Sequence, residues 1–354
     1  MNRAAVSGSR GTGIGRTNPV DRAVPFADRF SMGNVTTLEL KGKIPTGTAF
    51  EGVFLLKGVS RRIAKNGRPF LAIEVGDRYG SFSCNIFEDS DAYGLLQGVP
   101  VGAVLSLAGV AEQFNDRLSP RIQAIRRIGP AEARSQGLEG ILYGGPKEST
   151  DLLRKELESY VARIGHEKLK KTVEEALKEV GEIFWTNTAA VNMHHAYRFG
   201  LLEHSVHVAR AGISLLPHYP FVDPDLAIAG MLLHDVGKAW EYRGEGAYER
   251  TRAGLLQGHV VLGYRIVRKA ALTANLEDDL LLQLEHIILC HQGMPEYGAA
   301  VLPSSPEGVF VALVDNLDAK MAMVEKALDT TPADWEFSEK IMGLEGARVF
   351  TQGR

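Results

Sequence analysis

Leu232-Leu233-His234-Asp235-Val236-Gly237-Lys238 joins an apolar run to a histidine–aspartate pair and then to a lysine. The run from Pro224 to Leu233 predicts a helix that ends at this pair. Adjacent helical residues project about 100° apart, so His234 and Asp235 can bracket one ion if the helix end points at it. Lys238 follows one turn later, where its charge could meet a phosphate.

The histidines of the chain are confined to its second half. All ten lie between His166 and His291, and the first 165 residues contain none. Imidazole is the commonest protein ligand of transition metals, and it needs partners that a fold brings together. The segregation predicts a metal-dependent centre in the second half and a different task for the first.

A divalent ion at a hydrolytic site needs several neutral imidazoles and at least one carboxylate from different helices. The candidates near the end or on one face of a predicted helix are His204, His234, Asp235, His259, His286, His291 and Asp315. His166, His207 and His218 lack a matched partner, which is typical of structural histidines. For His194-His195, a structural role and a substrate contact both stay open. Asp318 is expected to pair or cap near its helix, and Gly237 could be a left-handed helix cap.

Composition sets the class of protein. The 354 residues predict two or three domains, and the net charge of −3 excludes a uniformly basic molecule. Two distant cysteines, Cys84 and Cys290, indicate reduced thiols, and neither a membrane span nor a secretory signal is apparent. We therefore expect a cytoplasmic protein.

The first half has a β pattern. Residues 1–36 are rich in Gly, Ser, Arg and Pro and predict a flexible leader. Residues 37–130 predict five strands, with an Asn66-Gly67 turn after the first and a short helix from Asp91 to Gln97 between the third and fourth. The last two strands are expected at Val104–Phe114 and Leu118–Ile128. This is the order of an all-β OB-fold barrel.

The second half has a helical pattern. A linker is expected at 131–150, an all-α domain at 151–330 and a tail at 331–354. Helices are predicted over Thr150–Ile164, His166–Val180, Leu201–Leu216, Pro224–Leu233, Gly258–Ala271, Leu276–Cys290 and Pro306–Leu328.

Basic residues gather on the predicted barrel. No acid lies between Gly52 and Ile73, and arginines decorate the last strand pair. The candidates for binding nucleic acid are Lys57, Arg61, Arg62, Lys65, Arg68 and Arg121. OB barrels bind single strands by pairing a cationic groove with stacking rings, which favours single-stranded RNA or DNA as a partner. A solvated hairpin tip is the alternative.

The order of four candidate ligands resembles the H…HD…D pattern of the HD phosphohydrolase superfamily. These residues are His204, the pair His234-Asp235, and Asp315. The neighbouring stretches resemble the YhaM-like 3′→5′ exoribonucleases, which join an N-terminal OB fold to a C-terminal HD domain. Those stretches are Leu202-Glu203-His204-Ser205, Leu232 to Lys238, Gly258-His259, His291-Gln292-Gly293 and Asp315 to Met321. The resemblance spans roughly residues 48–328.

The resemblance implies a set of ligands for one or two ions. His204, His234, Asp235 and Asp315 would hold the first ion. His259 and His291, with Asp235 bridging, would hold a second. Many two-ion members have a His-His pair where this chain has His291-Gln292, and His286 is the candidate to supply the missing ligand.

We expect Mn²⁺, because mixed imidazole and carboxylate sites suit it, with Mg²⁺, Fe²⁺ and Zn²⁺ as alternatives. The family implies a catalytic role for Asp235 and 3′→5′ exonuclease activity on single-stranded RNA, with DNA left open, that releases nucleoside monophosphates. Lys238 and Arg198 are the candidates to contact phosphate. The rival hypotheses are a phosphohydrolase of nucleotides or cyclic dinucleotides, and a nucleic-acid-binding module with a structural metal site. Association into a homo-oligomer stays open.

Overall fold

The computed structural model describes residues 34–351 except 115–116, 191–194 and 245–247. The expected leader therefore lies almost wholly outside the described residues, and so does His194. Within the described ranges, no helix is both long and apolar enough to cross a membrane. Cys84 and Cys290 are both buried free thiols, as expected.

The N-terminal part is a five-stranded antiparallel sheet built around one long strand. Its elements are α1 (Thr37–Gly42), β1 (Ala49–Ile63), β2 (Pro69–Asp77), β3 (Gly80–Phe87), α2 (Asp91–Leu96), β4 (Val104–Val110), β5 (Gln113–Phe114), β6 (Arg117–Leu118) and β7 (Arg121–Ile128). The order β3-β2-β1-β4-β7 places β1 at the centre. Phe50, Phe54 and Leu56 alternate along β1 and are fully buried, because successive side chains of a strand point to opposite faces. The predicted sheet is confirmed, and its closure into a barrel stays a prediction.

The β1–β2 hairpin turns at the predicted Asn66-Gly67 pair. Gly67 has a φ of +81°, a conformation that costs glycine little, and Asn66 Oδ1 accepts a hydrogen bond from the backbone N–H of Arg68. The last predicted strand pair is less regular than expected. Its continuous strands are interrupted, and β5 pairs with β6 as a separate two-stranded ribbon.

The C-terminal part is helical. Its elements are α3 (Pro130–Ser135), α4 (Glu139–Leu142), α5 (Thr150–Arg163), α6 (Glu167–Val180), α7 (Glu182–Thr186), α8 (Gly200–Leu215), α9 (Pro224–Leu233), α10 (Lys238–Glu241), β8 (Tyr242–Arg243), β9 (Glu249–Arg250), α11 (Arg252–Ala274), α12 (Asp278–Cys290) and α13 (Pro306–Thr330). Short 3-10 turns lie at Leu216–His218, Pro295–Tyr297 and Met342–Leu344. The expected linker thus contains two short helices, α3 and α4.

Helix α9 forms the centre of the helical part. The Asp223 side chain accepts a hydrogen bond from the N–H of Leu226, and Pro224 occupies a first-turn position that needs no N–H donor. All residues from 226 to 233 are buried, and a helix that is apolar all round belongs in a core. Neighbouring helices α6, α8, α12 and α13 surround it. Its C-terminal end therefore delivers His234 and Asp235 to the interior.

The segment after α13 packs against α1. A Cβ atom on Gly42, at the end of α1, would lie 2.4 Å from Cβ of Pro332, so the Pro332 ring packs closely on the backbone of Gly42. Lys41 pairs with Glu339 at 3.2 Å. The last described residues are therefore part of the folded structure.

Candidate metal centre

The turn that follows α9 and contains the His234-Asp235 pair packs closely against α11. Gly237 has a φ of −65°, so its interpretation as a left-handed cap is wrong. A Cβ atom there would lie 2.0 Å from the carbonyl oxygen of His259 and 2.4 Å from the backbone nitrogen of Gly263. Glycine is required because the two backbones touch, and this contact sets His259 beside Asp235.

Four side chains from three helices converge in the first cluster. The Nε2 atoms of His204, on α8, and His234, at the end of α9, are 3.1 Å apart. Oδ2 of Asp235 lies 3.3 Å and 3.4 Å from those two nitrogens. Oδ1 of Asp315, on α13, lies 3.2 Å from Nε2 of His204. The first cluster therefore gathers two imidazoles and two carboxylates in a buried space.

The second cluster lies on the other oxygen of the same aspartate. Oδ1 of Asp235 is 3.6 Å from Nε2 of His259 and 3.5 Å from Nε2 of His291. All three atoms are buried and have no hydrogen-bond partner. Buried polar atoms without partners are costly, and a cation between them would satisfy all three at once. The residues present therefore fit a divalent ion here as well as in the first cluster.

The other ring nitrogens fix the orientation of the imidazoles. Nδ1 of His234 and of His291 each donates, at 2.8 Å, to a backbone carbonyl one turn earlier. Nδ1 of His204 hydrogen-bonds to Asp318 at 2.7 Å. Because carbonyls only accept, the Nδ1 atoms of His234 and His291 carry the protons. Their Nε2 atoms then offer lone pairs to a metal, as in most histidine metal sites.

The acids of the first cluster are held in their charged form. Burial alone would raise the pKa of Asp235, but Lys238 and the neighbouring histidines lower it well below its usual value. Burial likewise opposes ionisation of Asp315, yet its hydrogen bond with His204 and the electrostatic influence of the neighbouring histidines lower its pKa to about 2. Both carboxylates are therefore available to a cation at neutral pH.

Two carboxylates support the clusters: the sequence analysis expected Asp318 to pair near its helix but did not connect it with the histidines, and it missed Glu241. Asp318 contacts three histidines: Oδ2 is 3.1 Å from Nε2 of His195 and 2.7 Å from Nδ1 of His204, and Oδ1 is 3.5 Å from Nδ1 of His207. Glu241 Oε2 lies 3.2 Å from Nδ1 of His259. The only signal for Asp318 was its position three residues after Asp315, on the same helix face.

Of the remaining residues predicted to act in catalysis or to bind metal, only one lies at a cluster. Lys238 is nearly buried and pairs through Nζ with Oδ2 of Asp235. Arg198 is exposed and stacks on Phe199, with 4.8 Å between its guanidinium carbon and the ring centroid. His286 Nε2 accepts a hydrogen bond from the backbone of Ser304, and His286 is in none of the three ligand groups found in the described residues. The structure therefore brings Lys238 to the first cluster and leaves His286 out of both clusters.

The basic residues predicted to bind nucleic acid lie in different parts of the structure. Lys57 lies between the sheet and the helices, where Nζ donates to the carbonyls of Asp77 and Gly80. The hairpin residues Arg61, Arg62, Lys65 and Arg68 are exposed. Arg121 is exposed and pairs with Glu112 at 2.9 Å.

Comparisons with known proteins agree with this geometry. A family model of the HD domain matches residues 201–320, which contain every member of both clusters. The 3′-5′ exoribonuclease YhaM of Shouchella clausii is 30% identical over 308 residues, which cover 86% of this chain and 93% of that protein. The proteins of the same name from Halalkalibacterium halodurans and Listeria innocua are 29% and 28% identical, over 86% of this chain and 93% and 95% of theirs. The chain belongs to the YhaM family of 3′-5′ exoribonucleases.

Proposed function

We propose that this protein is a metal-dependent 3′→5′ exoribonuclease that removes nucleoside monophosphates from single-stranded RNA. One observation carries the proposal: the two oxygens of Asp235 face two adjacent ligand clusters, one of which has three buried atoms without partners. A pair of neighbouring ions with a shared carboxylate is a common arrangement for phosphodiester hydrolysis. The family membership supplies the polarity of digestion and RNA as the substrate.

The chain's own groups define how the centre works. His204, His234, Asp235 and Asp315 would hold one ion, and Asp235, His259 and His291 a second. Bound ions supply a water that is acidic enough to attack phosphorus near neutral pH, together with positive charge for the phosphoryl oxygens. Lys238 keeps the Asp235 carboxylate ionised and oriented.

Three finer assignments belong to the same proposal. Mn²⁺ is the resident ion, because the ligands are all imidazole nitrogen and carboxylate oxygen. The sheet closes into an OB barrel, since its five strands and intervening helix have the matching order. The barrel occupies residues 37–130, the linker 131–150 and the catalytic domain 151–330. Arg198 is retained as a candidate phosphate contact, because its guanidinium is exposed.

Degradation of an end-labelled RNA tests the activity and its direction. With Mn²⁺, the full-length protein should shorten a 5′-labelled single strand one nucleotide at a time and release mononucleotide at once from a 3′-labelled strand. Asp235→Asn should be inactive in both assays. Hydrolysis of cyclic dinucleotides with RNA left intact would reject the proposal, and parallel DNA strands test discrimination by the 2′-hydroxyl.

A further inference from the structure

A deep cleft separates the sheet from the helices. It has a volume of about 440 Å³ and lies between β1 and β2 on one side and α8 and α13 on the other, with the 143–148 segment along its floor. A second cavity of about 430 Å³ lies between β3, α13 and the segment after α13. Tyr79, Lys326 and Thr330 line both cavities. The two cavities therefore adjoin each other, and we call them together the sheet–helix groove.

The acids that line the groove are already paired. Glu203 binds His195 and Tyr197, and Glu148 accepts two hydrogen bonds from Arg210. Glu325 and Asp329 are both engaged by Lys147, at 2.8 Å each. Asp77 accepts hydrogen bonds from the backbone N–H groups of Thr37 and Tyr79, so these carboxylates are all engaged by groups of the protein itself.

Four cations of the groove have no carboxylate partner among the described residues. Arg78, Lys326 and Lys340 take part in none of the ion pairs found there, and Lys57 donates only to two backbone carbonyls. Lys57 and Lys326 come from opposite walls. Desolvation lowers the pKa of both amines, and the charge of Lys326 lowers that of Lys57 further. A phosphate between the two walls would relieve this repulsion and form charge-assisted hydrogen bonds.

Aromatic rings accompany these cations. Tyr79, Tyr143, Tyr197 and Tyr248 line the groove, and all four are half-buried. The guanidinium carbon of Arg78 lies 5.2 Å from the ring centroid of Tyr79. Cations that follow a backbone and rings that stack on bases are the combination with which proteins hold single strands.

The groove also reaches the metal centre. His195 lines it, and the centroids of the His195 and His204 rings are 5.6 Å apart. Tyr248 also lines the groove and belongs to the β8–β9 connection. This connection follows α10, the helix that carries Glu241, and Glu241 contacts His259 of the second cluster. A strand in the groove would therefore end beside the ligands, whereas Arg62 and Lys65 at the exposed hairpin line neither cavity.

We propose that the sheet–helix groove binds the RNA strand upstream of its 3′ end, with Lys57, Arg78 and Lys326 on the phosphates and the tyrosine rings against the bases. This inference rests on the proposed exoribonuclease function. It locates RNA binding between the sheet and the helices and removes it from the hairpin.

Binding without turnover tests the groove independently of catalysis. The probe is a fluorescent single-stranded RNA of about 20 nucleotides, long enough to fill such a groove, titrated with metal-free full-length protein. The test variant is Lys57→Met with Lys326→Met, and the matched control is Arg62→Met with Lys65→Met, which removes the same charge. The test variant should weaken binding about tenfold and reduce the slope of log affinity against log salt by about 1.4, at about 0.7 per phosphate. The control variant should bind like the wild type.

Two results would overturn the proposal: unchanged binding by the groove variant, or the larger loss in the hairpin variant. Turnover of bis(p-nitrophenyl) phosphate with Mn²⁺ distinguishes a folding defect from a specific loss of RNA binding. This small substrate needs the metal centre but no bound RNA strand. The groove variant should retain this turnover within about twofold while its KM for RNA rises about tenfold, in line with the weaker affinity. If the wild type binds RNA but hydrolyses neither RNA nor bis(p-nitrophenyl) phosphate, the exoribonuclease proposal fails. The binding measurements then still decide whether the groove holds RNA.

Discussion

Oδ2 of Asp318 lies 2.7 Å from Nδ1 of His204, on the side of the ring that faces away from the first cluster. A carboxylate behind a metal-binding imidazole fixes the ring and makes its other nitrogen a better ligand. Burial opposes ionisation of Asp318, but hydrogen bonds from His195, His204 and His207 lower its pKa below the usual range. We therefore propose Asp318 as a charged positioning residue.

Asp318→Asn should lower the affinity for Mn²⁺ about 10- to 100-fold, the usual cost of losing such a partner. Calorimetric titration of the metal measures the effect. At saturating Mn²⁺ most of the activity should return, because the ligands themselves are intact. Asp279→Asn, which removes an exposed carboxylate from α12, is the control and should bind like the wild type. Equal affinities for the two variants would contradict the positioning role.

His259→Ala should reduce the bound Mn²⁺ from two ions to one per chain, because His259 belongs only to the second cluster. Elemental analysis after gel filtration measures the ratio. His286→Ala is the matched control, since His286 bonds to the backbone of Ser304. Loss of an ion in the control, or two ions retained in His259→Ala, would refute the assignment of ligands.

Gly237→Ala should destabilise the fold by about 1–3 kcal/mol, the usual cost of an added group in a packed interior. The new Cβ atom would lie 2.0 Å from the carbonyl oxygen of His259, so α10 and α11 must separate. Denaturant unfolding measures the change. Gly94→Ala is the control: it has open space in helix α2 and should stabilise by about 0.5–1 kcal/mol. A neutral Gly237→Ala variant would show that the two helices can move apart without cost.

Metal binding should strengthen with pH. Burial disfavours the charged form of His204, but hydrogen bonds with Asp235, Asp315 and Asp318 raise its pKa well above 6.5 in the metal-free protein. Protonation of His204 therefore stabilises the metal-free fold fully below about pH 6.5, and this contribution is lost as pH rises through the raised pKa. A metal ion competes with this proton for Nε2.

The increase in melting temperature on adding Mn²⁺ should therefore be larger at about pH 8.5 than at about pH 6. Thermal unfolding with and without the metal measures it at each pH. The His204→Ala variant, which has no such proton to displace, should show a flatter dependence. An increase that is independent of pH in the wild type would mean that no histidine proton is released.

The candidate ligands could be found in the sequence because they lie at the ends or on the inner faces of periodic helices. Hydrophobic spacing placed His204, the His234-Asp235 pair and Asp315 on three helices, and the structure brings them together. Their grouping as one ligand set came from the family resemblance. His286 was a weaker candidate for a physical reason. It lies five residues before His291, so the two side chains leave α12 in different directions.

The supporting groups could not be predicted because they depend on how helices approach one another. Asp318 meets His204 across more than one hundred residues of sequence, and no local pattern records that contact. The sequence around Gly237 suggested a left-handed helix cap. The structure instead requires glycine there because its backbone touches the backbone of α11. The basic side chains are visible in the sequence, but the fold decides that Lys57 and Lys326 line the same groove while Arg62 is exposed to solvent.

The two oxygens of Asp235 face different clusters, so ions held in both clusters would depend thermodynamically on each other. An ion held in one cluster would withdraw electron density from the carboxylate that serves the other, and would restrict the rotation of that group. Such coupling is reciprocal, so the affinity at either position depends on the occupancy and identity of its neighbour. In the proposed two-ion centre, selectivity among divalent metals would therefore be a property of the pair, and replacing one ion would change the preference of the other.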